Sequence, residues 1–77
     1  MEGAEWRESV SVTVVEARSL RELAEEINQL CRAEGSYIQL PRVVYVERTE
    51  VVKEEFGVMK VEVKYRALVE VTTRWAT

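Results

Sequence analysis

The chain has 77 residues, one cysteine, no histidine and a formal charge of −3. A domain this small buries little apolar surface, and a lone thiol without imidazole removes both an internal disulfide and the usual metal site as remedies, which leaves association between copies. The acidic balance argues against a general phosphate-binding field, and no apolar run approaches the roughly eighteen residues of a membrane-crossing helix.

Residues 1–5 have neither the basic start nor the apolar centre of a secretory leader and read as a short disordered lead. With the free Cys31, the expectation is a soluble, cytoplasmic protein. Every acidic residue is Glu and the bases favour Arg, a composition that fits a chain adapted to heat.

From Trp6 the pattern alternates, with Trp6, Glu8, Val10, Val12, Val14 and Glu16 on one side and Arg7, Ser9, Ser11, Thr13 and Val15 on the other, which predicts a first strand apolar on its even face. Ser19 and Glu22 then form an S-x-x-E capping box at the start of a helix, and Gly35 marks its end. Leu20, Leu23, Ala24, Ile27, Leu30 and Cys31 fall on one stripe of that helix, about 16 residues and about 24 Å long. After Gly35-Ser36 the chain re-extends. Pro41 removes a ladder donor and suits an edge or a strand start. A second strand is predicted over Arg42–Val52, with Val43-Val44-Tyr45-Val46 apolar on both faces, and Lys53–Gly57 is the expected turn.

The final strand is the longest signal in the chain. From Lys60 to Trp75 the odd positions Val61, Val63, Tyr65, Ala67, Val69, Val71, Thr73 and Trp75 alternate with mostly charged even positions. At ~3.4 Å per residue such a strand reaches roughly 50 Å, against a radius of gyration of about 12 Å for a compact chain of this length. It must bend sharply or reach another subunit. The segment Val69–Trp75, expected to run past the helix, is the predicted assembly arm.

These elements predict an α+β fold, β-α-β-β, with one amphipathic helix on a three-stranded antiparallel or mixed sheet in the order 1-3-2 and a long final hairpin. If the apolar even face of strand one and the apolar odd face of strand three share a core, Val10 pairs with Val71, Val12 with Val69 and Trp6 with Trp75. In the hairpin, the expected register sets Arg48 opposite Glu62, Glu50 opposite Lys60 and Tyr45 beside Tyr65.

This order of elements, with the Lys60–Val71 alternation, resembles the dodecins and the wider group of small domains that share their topology, among them the N-terminal domain of an RNA polymerase stalk subunit. The resemblance covers about Glu8 to Val71. It implies a hollow homo-oligomer that stores flavin, with a second-strand tryptophan stacking the ring and a third-strand glutamine binding its edge. The corresponding segments here read Arg42-Val43-Val44-Tyr45 and Met59-Lys60-Val61, so neither residue is matched and no cofactor is assigned.

No arrangement of residues reads as a catalytic or metal site, and the expectation is a non-enzymatic homo-oligomer that assembles or holds a small aromatic ligand between subunits. Trp6, Tyr45, Tyr65, Val71 and Trp75 are the candidate ligand or subunit-interface residues, although large aromatics in such places more commonly close a core. The alternative is a nucleic-acid or polymerase-associated module that uses Arg42, Arg48, Lys60, Lys64, Arg66 and Arg74 on the outer sheet face, where Glu50, Glu54, Glu62 and Glu70 oppose it.

Overall fold

Period-two patterning dominates the architecture. The computed structural model describes residues 5–77, which run β1 (Trp6–Ala17), α1 (Leu20–Asn28), β2 (Arg32–Glu34), β3 (Tyr37–Glu55) and β4 (Val58–Ala76). The strands form one sheet in the order β1-β4-β3-β2, and every paired neighbour is antiparallel. The expected three-stranded α+β sheet in the order 1-3-2 is thereby corrected to an extended four-stranded sheet with one short helix. Of the expected disordered lead, residues 1–4 lie outside the described residues, while the Glu5 carbonyl accepts from the Thr77 backbone N–H at 2.9 Å.

The helix starts where its sequence says and stops early. Ser19 Oγ accepts from the Glu22 N–H at 3.1 Å, and the Glu22 carboxylate accepts in return from the Arg18 N–H at 3.0 Å. This is a capping box whose return bond lands one residue upstream. After Asn28 the Leu30 and Cys31 N–H groups donate to carbonyls three residues back, a tightening that ends the helix. The side chain of Gln39 donates to the Leu30 carbonyl at 2.7 Å and occupies an acceptor that a longer helix would have used. Gly35, expected to end the helix, turns a small hairpin instead. Its φ of 55° joins Arg32–Glu34 to Tyr37–Gln39, a task that needs the same conformational freedom as a helix stop.

Leu23 on α1 is buried over Ala67, Val69 and Val71 of β4, with Val15, Ala17, Ile27, Leu30 and Tyr65 packed around them. Ala17 and Ala67 are small, which allows the helix to lie close to the sheet. Full burial stabilises by about 1.5–3 kcal/mol for a Leu or Val side chain, so three such residues and an alanine make a slender core. Cys31, expected on the apolar stripe, is exposed.

The β1–β4 register also differs from expectation. Val12 opposes Glu70, Val14 opposes Leu68, Trp6 opposes Ala76 and Trp75 opposes Arg7. Even residues therefore meet even residues, and Val10, Val12 and Val14 lie on the face away from the helix. The odd side of β1, with Ser11, Thr13, Val15 and Ala17, is the one narrow enough to sit beneath α1. The same register brings Glu8 to Arg74 and Glu16 to Arg66.

Beyond Tyr65 the β1 strand has ended, and β3 and β4 continue as a two-stranded ribbon over residues 49–64. Its turn is Phe56-Gly57, with φ of 52° and 76°, the two positive values that a type I′ hairpin requires. Lys53–Glu55, expected in the turn, are still paired strand. This tighter turn sets Arg48 opposite Tyr65 and Glu50 opposite Val63 in place of the expected Glu62 and Lys60, and a bulge at Val44 shifts the register again only for Tyr37–Val43. The long strand does not fold back on itself. The molecule measures 73 × 17 × 14 Å with a radius of gyration of 18.4 Å, against about 12 Å for a compact chain of this length.

Candidate functional site: the uncovered sheet face

The face opposite α1 is built from the even residues of β1 and β4, and its rows run straight across the sheet. From the closed end they read Glu8, Arg74 and Ile38; Val10, Thr72 and Leu40; Val12, Glu70 and Arg42; Val14, Leu68 and Tyr45; Glu16, Arg66 and Glu47. The bulge at Val44 shifts β3 by one residue, so odd positions such as Tyr45 and Glu47 join this face where even ones did before. Without it Tyr45 would point toward the helix side.

The apolar rows are open. Val12 retains 62% of its surface, and Val10, Val14, Leu40 and Tyr45 are each more than half exposed. Ion pairs lie at both ends of these rows and across the middle one. Arg74 Nε lies 3.7 Å from Glu8, Arg42 Nε 3.8 Å from Glu70, and Arg66 sits between Glu16 at 2.8 Å and Glu47 at 3.7 Å. The hydrogen bond from Arg66, with the Lys64 ammonium 3.5 Å away, holds the Glu16 carboxyl below its ordinary range. Near the closed end a shallow groove of about 390 Å³ is lined by Glu8, Leu40, Arg42, Glu70, Thr72 and Arg74. A second hollow of about 360 Å³ shares Glu8 and Arg74 and reaches Trp6. Such a surface can hold an apolar or aromatic body and satisfy its polar edge, but it offers no activated nucleophile. Among the described residues no group of three His, Cys, Asp or Glu is placed to hold a metal ion.

The sequence-derived candidates are separated by the fold. Trp6 and Tyr45 lie on the uncovered face, whereas Tyr65, Val71 and Trp75 lie on the helix side. The two tryptophans therefore do not meet, nor do the two tyrosines. Val71 is buried under the helix of its own chain, so Val69–Trp75 is not an overhanging arm, and the overhang is the ribbon at the other end. Among the basic candidates, Arg42, Lys64, Arg66 and Arg74 share the uncovered face, with Lys60 on the same side of the ribbon. Arg48 is on the other side with Tyr65, bonded to Glu50 at 2.7 Å, which raises its already high pKa. Lys60 pairs with Glu55 at 3.1 Å, and each of the remaining basic candidates has a carboxylate partner.

No protein-family model, curated protein or solved structure matches this chain. The geometry alone carries the functional reading. Val10, Val12, Val14, Leu40 and Leu68 were absent from the sequence-derived site. One signal could have found them: Glu8 and Glu16 have the same spacing as Arg66 and Arg74, so an antiparallel pairing that joins both ion pairs forces the even–even register.

Proposed function

We propose that the protein is a non-enzymatic homo-oligomer in which the uncovered sheet face of one copy is covered by another, with a small aromatic ligand held between them. The observation that supports this most strongly is the imbalance of burial. Four described residues are buried, while Val10, Val12, Val14, Leu40 and Tyr45 stand exposed on a single face. Val10, Val12 and Val14 form an unbroken apolar row along β1 beside ion-paired side chains, and exposed apolar surface bordered by charge is characteristic of subunit interfaces and ligand grooves. Tyr45 and Trp6 are the rings on that face available for stacking, and Tyr45 lies in the segment where the dodecin resemblance places its flavin-stacking residue.

Size-exclusion chromatography with light scattering on the purified chain at micromolar concentration tests the assembly. A mass of two or more copies is expected, and a clean monomer would overturn the reading. An absorbance scan through the near ultraviolet and visible, followed by mass spectrometry of a denatured extract, tests the ligand. The nucleic-acid alternative predicts salt-dependent binding of short RNA or DNA. With the basic residues of this face engaged by carboxylates, the expected result of that titration is no binding at physiological salt.

A further inference from the structure

The two long edges of the sheet are built differently. On the β3 side β2 covers Tyr37–Gln39, and the open remainder carries Pro41, the bulge at Val44 and the charges of Arg42, Glu47, Arg48, Glu50 and Lys53. Prolines, bulges and charges are the devices by which proteins keep an edge from pairing. The β1 edge has none of them between Glu8 and Glu16. Ser9-Val10-Ser11-Val12-Thr13-Val14-Val15 is an uncharged run of strand formers with no Pro or Gly, and no described residue pairs with its outer side.

We infer that β1 pairs with β1 of a second copy, antiparallel about a two-fold axis at Val12, so that two sheets join into one continuous sheet of eight strands. This rests on the homo-oligomer reading and adds to its face contact a second one, at the sheet edge, which leaves the uncovered face free to be covered by a further copy. An axis at Val12 gives the uncharged run its longest overlap with itself, and sets Val10 beside Val14, Ser11 beside Thr13 and Ser9 beside Val15 of the other copy. Because opposed residues share a face, Val10, Val12 and Val14 of both copies remain on the uncovered side as one wider apolar stripe. Glu8 then faces Glu16 of the second copy. Each brings its own cations, Arg74 to Glu8 and Lys64 with Arg66 to Glu16, so three cations and, with the Glu47 that shares Arg66, three carboxylates balance there. The contact is isologous and uses up the edge that makes it, while the other edge is guarded, so pairing closes at two copies and does not propagate into a fibre.

Cysteine placement on the full chain tests this, in a Cys31→Ser background. With Val12 on the axis, the two Val12 Cα atoms lie roughly 4.5–5.5 Å apart, within the range a disulfide spans. Val12→Cys is expected to give a disulfide-linked dimer as the dominant species under mild oxidation. Val10→Cys alone stays unlinked, and Val10→Cys with Val14→Cys links again. Val12→Lys, at a position already 62% exposed in the single chain, is expected to halve the assembly mass with an unchanged circular dichroism spectrum. Val12→Cys that fails to link, together with Val12→Lys that leaves the mass unchanged in a protein that is still oligomeric, overturns the edge pairing and leaves the homo-oligomer standing. A monomeric parent chain overturns both.

Discussion

Leu68 and Val69 are adjacent in β4 and opposite in circumstance: Val69 is fully buried beneath α1, while Leu68 keeps 36% of its surface and looks away from the helix. Both are aliphatic and both lie in the middle of a central strand. What separates them is the size of their neighbours, since the helix settles on the side where Ala17, Ala67 and Ser11 leave room and not on the side with the longer row of valines. Apolarity alone therefore does not distinguish core from interface in a sheet this thin. Whether the two faces differ in kind can be tested by substituting on each.

The largest effect is expected on the covered face. Leu23→Ala removes the one buried side chain that α1 contributes and should destabilise the fold by about 2–5 kcal/mol, read from urea denaturation. A loss below about 1 kcal/mol would mean that the helix is not what holds the sheet.

On the uncovered face, Leu68→Glu should change the secondary structure little yet weaken assembly by tenfold or more, on the order of 1.4 kcal/mol. The measurement is the concentration dependence of mass by light scattering. Equal damage to fold and assembly would erase the contrast between the faces.

The ribbon offers a smaller and opposite effect. Phe56 is fully exposed at a φ of 52°, a conformation that is strained for a bulky residue and favourable for asparagine before glycine. Phe56→Asn should raise the unfolding midpoint, by the equivalent of about 0.5–1 kcal/mol, the scale of other turn and backbone adjustments. A fall instead would show that the ring is gripped by another copy.

The smallest effect concerns acid. The Glu16 carboxyl is depressed in the folded protein by the Arg66 hydrogen bond and the Lys64 charge. A depressed carboxylate stabilises the fold above its unfolded pKa, about 4.3 for Glu, and that contribution is lost as pH falls through the folded value. Glu16→Gln should therefore flatten the acid limb of the stability–pH curve and leave the limb above neutrality unchanged. An unaltered acid limb would show that the ion pair is only a surface contact.

Against these contrasts, the legible and illegible parts of the sequence separate by mechanism. The S-x-x-E start of α1, the strand from Trp6 and the long alternation toward Trp75 are local patterns, and each corresponds to an element. The order of the sheet and its registers depend on features without a local signature. The bulge at Val44 shifts parity inside a run that is apolar on both faces, so no alternation reveals it. Gly35 serves a hairpin as well as it would a helix end, and the three-residue β2 is too short to show a period. The even–even register is hidden from a match of apolar row to apolar row, although the spacing of Glu8 and Glu16 against Arg66 and Arg74 points to it. Of the candidate site, Trp6 and Tyr45 reached the uncovered face, while Tyr65, Val71 and Trp75 did not.

The central position of β4 has a consequence for the order in which the chain assembles. β1 and β3 never pair with each other, and both depend on β4 for their ladders. The β3–β4 hairpin can zip outward from Phe56-Gly57 through contacts close in sequence, whereas β1 must close a loop from Ala17 to Tyr65 before it gains its first bond. Closing a loop of that length costs more entropy than zipping a hairpin, and the cost is paid before any contact repays it. Refolding should therefore form the hairpin first and dock β1 last, and native-state hydrogen exchange should find β1 amides released well before those around Val69. Until that docking step, both sides of the central strand are not yet filled, and a β1 from another copy can take the place of the chain's own.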